Sequence, residues 1–251
     1  MPAEGIVLDR TSILHFLGCG AAFNPSLGST AAYVREGDRL LLLDCGESVF
    51  ERLLRGHVLD GVRELNIALS HLHSDHCGSL GSTVLYARFS LHAEVRLLMP
   101  PGEETYAASV RTLLGFYGVP EDAWRMMVPA GLKPFQAVRS LRYVRTDHDP
   151  RMICFSFELE TPAGGIFYSA DTRTTAQMEA FIASHSRIAA IYMEMAETDT
   201  PGSIHLPLAR LQAALPKELR GKTFLMHLAS SRCEDLAREA GFSVVRAEQD
   251  S

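Results

Sequence analysis

One short segment of the chain concentrates side chains that bind metal ions. Ser70 through His76 reads Ser-His-Leu-His-Ser-Asp-His and holds three histidines and one aspartate. Imidazole nitrogens and carboxylate oxygens are good ligands for zinc and similar divalent ions. In an extended loop His71 and His73 point the same way and can hold one ion, while Asp75 and His76 can hold a second. Two ions about 3.5–4 Å apart can activate a shared water and clamp a substrate oxygen.

Four ligands from one loop are too few for two ions, so further ligands must come from elsewhere in the chain. Three candidates each follow an apolar run: His148, Asp171 and His227. A lone histidine or aspartate at the end of a strand is usually a turn residue or a cap. The shared position of these three after apolar strands, together with the 70–76 loop, favours the ligand interpretation.

Short apolar runs bounded by turn residues must position these side chains. The pattern predicts strands over 13–17, 31–34, 40–43, 67–69, 95–99, 135–138, 141–144, 154–159, 166–168, 189–193, 223–226 and 244–245. Helical spacing predicts helices over 47–55, 78–91, 105–116, 175–183, 207–215 and 235–240. The mixture predicts one α/β domain over residues 1–251, with sheets covered by helices.

Composition narrows the class of protein. The 251 residues are 47% hydrophobic and carry a net charge of −6, which excludes a mainly disordered chain and argues against a generally basic nucleic-acid binder. No run of 18 apolar residues occurs, so we expect no membrane span. Residues 1–5 lack a basic region followed by an apolar stretch, which predicts no signal peptide. Five scattered cysteines without a CxxC pair favour a reducing cytoplasm over a disulfide framework.

The sequence resembles the metallo-β-lactamase superfamily, and within it the ribonuclease Z-like phosphodiesterases in a compact form. The segments that carry the resemblance are 17–22, 43–47, 70–76, 168–173 and 226–232. The resemblance implies an αββα sandwich in which two mixed sheets are covered by helices. It implies that one ion is bound by His71, His73 and His148, a second ion by Asp75, His76 and His227, and both ions by Asp171. Such sites most often take zinc, with manganese as the alternative.

The resemblance also implies residues that handle protons and orient the ligands. His205 opens the helix before the last ligand strand, as a proton-donating histidine does in ribonuclease Z-like enzymes, and Glu194 would be its acidic partner. Asp75 counts among the catalytic residues as well as the ligands. Met193 stands where the family has a histidine, which is a departure. Asp44 would orient the 70–76 loop through hydrogen bonds. The alternatives are a surface helix start for His205, a surface carboxylate for Glu194 and a turn cap for Asp44.

The substrate that the resemblance implies is a small phosphodiester. Ribonuclease Z carries a basic arm for transfer RNA, but only 22 residues separate His148 from Asp171 and the chain has three lysines. Some compact enzymes of this type cleave cyclic nucleotides, including cyclic pyrimidine nucleotides of antiphage signalling, and several are homodimers. We therefore expect a 3′,5′-cyclic mononucleotide as substrate, a homodimer and a cytoplasmic location. The alternatives are hydrolysis of a lactone, thioester or other acyl substrate, a ribonuclease acting on RNA, and a non-catalytic ligand sensor.

Two questions stay open at the level of sequence. Segment 102–131 can cover the active site or form a dimer contact, and His205 can act within its own chain or across a dimer. Arg139, Arg142, Arg145 and Arg151 cluster near His148 in sequence. These arginines can either meet a phosphate or lie on a solvated strand face.

Overall fold

Two six-stranded mixed sheets form the centre of the structure, a computed structural model that describes residues 13–247. Residues 1–5, on which the signal-peptide expectation depends, lie outside the described residues. The first sheet contains, in spatial order, β1 (His15–Gly18), β2 (Ala31–Glu36), β3 (Arg39–Leu43), β4 (Glu64–Ala68), β5 (Glu94–Leu98) and β6 (Arg125–Met127). Strands β1 to β3 are antiparallel neighbours, and β3 to β6 pair in parallel.

The second sheet repeats this pattern. It contains, in spatial order, β7 (Ser140–Thr146), β8 (Cys154–Thr161), β9 (Gly164–Tyr168), β10 (Ile188–Glu194), β11 (Thr223–Met226) and β12 (Ser243–Val244). Strands β7 to β9 are antiparallel neighbours, and β9 to β12 pair in parallel. Each sheet therefore has a block of parallel strands whose carboxyl ends can present side chains at one edge.

Helices cover the outer face of each sheet, except for a single-turn helix that carries the candidate ligands Asp75 and His76. They are α1 (Val49–Arg55), α2 (Ser74–Cys77), α3 (Leu80–Leu85) with a π turn over Tyr86–Ser90, α4 (Glu104–Phe116), α5 (Ala176–Ser184), α6 (Leu208–Ala214) and α7 (Ser231–Glu239). Helices α1, α3 and α4 pack on the first sheet, and α5 to α7 pack with the second. This is the αββα arrangement that the family resemblance implies. Within residues 13–247 no helix is long and apolar enough to cross a membrane.

Strand β3 shows why a central strand can read as a continuous apolar run. Leu41 and Leu43 point into the core between the two sheets, while Leu40 and Leu42 pack against the covering helices, and all four are buried. A strand buried on both faces has no polar side, so its sequence does not alternate.

Segment 102–131 packs on the outer face of the first sheet. Helix α4 buries Tyr106, Val110 and Leu114 there, and the Tyr106 hydroxyl donates a hydrogen bond to the Leu69 carbonyl at 2.8 Å. Strand β6 then extends the sheet next to β5. The segment therefore braces the strand that leads into the 70–76 loop.

One predicted strand is wrong, and one predicted helix has a wrong start. The strand predicted over 135–138 is an irregular bend in which the Phe135 amide donates to the Val138 carbonyl at 2.8 Å. Both side chains are buried without being part of a ladder. Helix α7 begins four residues before the predicted start, because the Ser230 hydroxyl caps it by accepting from the Arg232 amide at 3.1 Å.

Candidate metal centre

Three residues at or next to the candidate site follow strand ends and adopt backbone that L-residues rarely adopt. Asp44 follows β3, Ala170 precedes Asp171 after β9, and His227 follows β11. Their φ angles are +64° for Asp44, +47° for Ala170 and +59° for His227. Non-glycine residues in this region cost free energy and cluster at functional sites.

Asp44 fixes the 70–76 loop. Its buried carboxylate accepts hydrogen bonds from the Ser70 amide at 2.6 Å and from the Ser70 hydroxyl at 2.9 Å. It also accepts from Nδ1 of His76 at 2.9 Å. A Cβ atom at Gly46 would lie 1.8 Å from the Asp75 carbonyl oxygen, so only glycine allows the loop to approach this closely. Asp44 and Gly46 together fix the position of the 70–76 loop against the end of β3.

The first cluster comprises His71, His73, His148 and Asp171, whose ligand atoms all lie within 4.8 Å of one another. Nδ1 of His73 lies 3.0 Å from Nε2 of His71 and 3.3 Å from Nε2 of His148. Nδ1 of His148 donates to the Ile204 carbonyl at 2.7 Å, which leaves its Nε2 lone pair facing the cluster. Converging imidazole nitrogens of this kind suit a cation between them.

The second cluster comprises Asp75, His76, Asp171 and His227. Nε2 of His227 lies 3.2 Å from Oδ2 of Asp75 and 3.4 Å from Oδ1 of Asp171. Nε2 of His76 and Oδ1 of Asp171 are buried and have no hydrogen-bond partner among the described residues, although they lie 3.2 Å apart. Buried polar atoms without partners are costly, and a divalent cation would satisfy both. The residues present therefore fit a metal in each cluster, and Asp171 belongs to both.

Burial and mutual charge set the protonation of these groups. Burial lowers the pKa of His148 to about 4 and holds that of His71 well below its ordinary value. Burial raises the pKa of Asp171, but the charges of His227 and His76 outweigh it and hold the value well below normal. Burial lowers the pKa of His76, yet Asp171 and Asp44 raise it well above normal, so a cation at Nε2 must displace a proton.

His205 and Glu194 form a pair beside the two clusters. Nδ1 of His205 lies 2.8 Å from Oε2 of Glu194, a fully buried carboxylate that also accepts from the Thr172 amide. The His205 ring stacks on His227 with centroids 5.0 Å apart, and Nδ1 lies 3.8 Å from Oδ2 of Asp171. Burial lowers the pKa of His205, but the Glu194 hydrogen bond and charge outweigh it and raise the pKa to about 9. The imidazole is therefore protonated at neutral pH.

The structure brings all the predicted site residues together and adds one that the sequence reasoning missed. Asp149 is buried, and its Oδ2 lies 3.4 Å from Nε2 of His73. The available signal was a second aspartate flanking His148, in Asp147-His148-Asp149. Of the arginines near His148, Arg142 pairs with Glu158, Arg145 with Glu103 at 3.0 Å and Arg151 with Asp149 at 2.6 Å. Met193, the departure from the family pattern, is buried in the core.

Fold and clustered ligands define a metal-dependent hydrolase of the metallo-β-lactamase fold. The structure is similar to the metallo-β-lactamase fold protein YhfI from Bacillus subtilis, with a TM-score of 0.71 and 17% sequence identity, covering 95% of this chain and 96% of YhfI. More particularly, the chain belongs to the family described as Anti-Pycsar protein Apyc1, which matches residues 12–250. The predicted fold and superfamily are confirmed.

Two curated relatives of the chain carry different names, one an Anti-Pycsar protein and the other a ribonuclease Z. It is 26% identical over 223 residues to the Anti-Pycsar protein Apyc1 of Paenibacillus sp. (strain J14), covering 85% of this chain and 88% of the relative. It is 29% identical over 178 residues to the ribonuclease Z of Mycolicibacterium paratuberculosis (strain ATCC BAA-968 / K-10), covering 62% of this chain. That match spans only 61% of the ribonuclease Z.

Proposed function

We propose that the protein is a dinuclear metal phosphodiesterase that hydrolyses a small cyclic nucleotide. The observation that carries the proposal is the pair of four-residue ligand clusters sharing Asp171, with the His205–Glu194 pair against them. Membership in the Anti-Pycsar protein Apyc1 family supports a substrate of the kind that the sequence resemblance implies. We propose a 3′,5′-cyclic mononucleotide, with cyclic pyrimidine nucleotides as the leading candidates.

Seven side chains would hold the two cations. The first cluster would bind one ion and the second cluster the other, with Asp171 shared. We propose zinc as the resident metal, because the ligand set is rich in imidazole nitrogen, and manganese is the alternative. When bound, two such ions activate a water at neutral pH and neutralise charge on the phosphate. Asp75, by ligating one ion, would share in the catalytic machinery.

His205 would supply the proton that the departing alkoxide needs. Its Nδ1 is engaged by Glu194 at 2.8 Å, so its Nε2 is the atom available to a substrate. Its side chain is one-third exposed, whereas Glu194 beneath it is fully buried. The buried carboxylate fixes the ring and keeps it protonated, which is the state that a general acid requires. Both residues belong to one chain, so the proton donor needs no second protomer.

A small substrate suits the surface better than a long RNA. Residues 149–170 form β8, β9 and their turns, as the sequence predicts, and an RNA-gripping arm has no place between His148 and Asp171. The net charge of −6 weakens the phosphate contacts on which long nucleic acids depend. The likeness to ribonuclease Z nevertheless makes RNA a necessary arm of the test.

The test measures metal content and hydrolysis on the same preparation. Purified protein is assayed for bound transition metal and then incubated with each 3′,5′-cyclic mononucleotide, a precursor transfer RNA, a lactone and a thioester. We expect two metal equivalents and turnover of at least one cyclic nucleotide, abolished by chelator and by His227→Ala. His57→Asn is the matched control, because His57 is exposed and its Nδ1 pairs with Asp60 at 3.1 Å. Full metal occupancy without turnover of any cyclic nucleotide would reject the proposal.

We also propose that the protein is a homodimer, as the resemblance implies. Light scattering on the protein eluting from a sizing column measures the mass of the assembly against the 27.6 kDa chain. A mass near that of one chain at micromolar concentration contradicts this part of the proposal and leaves the phosphodiesterase intact.

A further inference from the structure

His73 is the candidate ligand that packing holds least. Its side chain is 27% exposed, whereas those of the other six candidate ligands are at most 7% exposed. A partly exposed imidazole can turn about its side-chain bonds unless a hydrogen-bonding partner fixes it. Metal-binding histidines usually have such a partner on the ring nitrogen that faces away from the ion.

The contacts of His73 show which nitrogen faces inward. Its Nδ1 lies 3.0 Å from Nε2 of His71 and 3.3 Å from Nε2 of His148, so Nδ1 belongs to the first cluster. Its Nε2 points the other way and lies 3.4 Å from Oδ2 of Asp149, within ion-pair distance. The carboxylate therefore stands behind the ring, on the side away from the cluster.

Asp149 is itself held in place. Its carboxylate accepts from the Arg151 amide at 2.9 Å, from Arg151 Nε at 2.9 Å and from Arg151 Nη2 at 2.6 Å. The Asp149 side chain is buried, while that of Arg151 is 82% exposed. A fork of two guanidinium bonds and one backbone bond leaves the carboxylate little freedom to turn. Oδ2 therefore lies where a small turn of the His73 ring lets it accept from Nε2.

We propose that Asp149 is the positioning residue for His73 and that Arg151 locks Asp149 in this role. The carboxylate holds the proton of His73 on Nε2, so that the Nδ1 lone pair faces the cation of the first cluster. The inference rests on the proposed function only in requiring that this cluster bind metal, and it holds whatever the substrate is. Loss of Asp149 should therefore weaken metal binding in the first cluster and leave metal binding in the second cluster unchanged.

The test is a zinc titration in competition with a chromophoric chelator, without substrate. The variants are Asp149→Asn and Arg151→Ala, with Asp147→Asn as the matched control. Asp147 is two residues away, half-exposed, and pairs with Arg173 at 2.8 Å. His148→Ala and His227→Ala identify which step of the titration belongs to the first and which to the second cluster. Melting of the metal-free variants checks that each folds.

We expect Asp149→Asn to weaken zinc by about 10–100-fold in the step that His148→Ala also weakens, and to leave the His227 step unchanged. Arg151→Ala should weaken zinc binding in the same step by a smaller factor. Because the Arg151 side chain is exposed, we expect this variant to fold normally. Asp147→Asn should change neither step. Unchanged affinities in both Asp149→Asn and Arg151→Ala, or equal weakening of the two steps, would overturn the inference. A wild-type protein that binds two ions but cleaves no phosphodiester would reject the proposed function alone.

Discussion

Replacing His205 by alanine tests the proton-transfer step directly. Nδ1 of His205 is bonded to buried Glu194, and the pKa of about 9 lies well above neutrality, so nearly every molecule carries the proton at pH 7. Loss of a general acid typically costs about 10²–10⁴-fold in kcat. That loss corresponds to about 3–5 kcal/mol of transition-state stabilisation. Because the acid is fully charged at pH 7, we expect His205→Ala to show that full loss on a cyclic nucleotide.

The assay compares two leaving groups and several pH values. A cyclic nucleotide expels a strongly basic alkoxide, whereas a p-nitrophenyl phosphodiester expels a weakly basic phenolate that needs no proton. His205→Ala should therefore lose less than about tenfold on the nitrophenyl ester. With wild type, kcat on the cyclic nucleotide should fall as the pH rises through about 9, because His205 then loses its proton. The alanine variant should lack this alkaline fall.

Two outcomes refute the reasoning. Equal losses on the two leaving groups would show that His205 does not protonate the leaving oxygen. Loss of bound metal in His205→Ala would show that His205 serves as a ligand. This outcome must be tested because the ligand atoms of His205, Asp171 and His227 lie close enough to hold an ion. His57→Asn should match wild type in every comparison.

Three further predictions follow from other contacts. Asp44→Asn removes the negative charge of the carboxylate that accepts hydrogen bonds from Ser70 and His76. It should lower the free energy of unfolding, measured by urea titration, by about 3–5 kcal/mol. A loss under 1 kcal/mol would contradict this prediction. Asparagine tolerates the positive φ at this position, so backbone strain does not confuse the result. Chelator should abolish hydrolysis and lower the Tm, since zinc at about 100 times its Kd contributes about 2.7 kcal/mol; an unchanged Tm would show that no ion had been bound. Phe23→Ala should raise KM for cyclic nucleotides with little change in kcat, because a base can stack on the exposed ring. The Phe23 side chain is 98% exposed, on a turn that is hydrogen-bonded to the carbonyl of Leu228, next to His227. Equal KM values in the variant and the wild type would contradict this role.

The sequence was informative where local chemistry and tertiary position coincide. The 70–76 loop, and the rule that ligands follow apolar strands, located seven side chains that the structure brings into two clusters. The β2–β3 hairpin and the β8–β9 hairpin were predictable, because turn residues separate two apolar runs in each. Glu194 could be paired with His205 only through the family resemblance, since 11 positions separate them.

The missed features depend on contacts distant in sequence. Strand β6 is three residues long, and only its parallel pairing with β5 makes it a strand. Phe135 is buried beneath Arg39, whose guanidinium lies 4.2 Å from the ring centroid, so its apolar character reflects a contact across 96 positions and not a ladder. Asp149 flanks the candidate ligand His148, but its partner His73 is 76 positions away, so the sequence does not show which side chain it contacts.

The two clusters draw their donors from both halves of the chain. The 70–76 loop belongs to the first sheet, while His148, Asp171 and His227 follow strands of the second, and Asp171 joins both clusters. Neither half alone holds enough donors for a complete site. Each cation would therefore cross-link the two sheets, and metal affinity would report how tightly the halves dock. A substitution that makes a cavity in the core between the sheets, far from any ligand, should therefore lower the metal affinity, as a change at the site itself does.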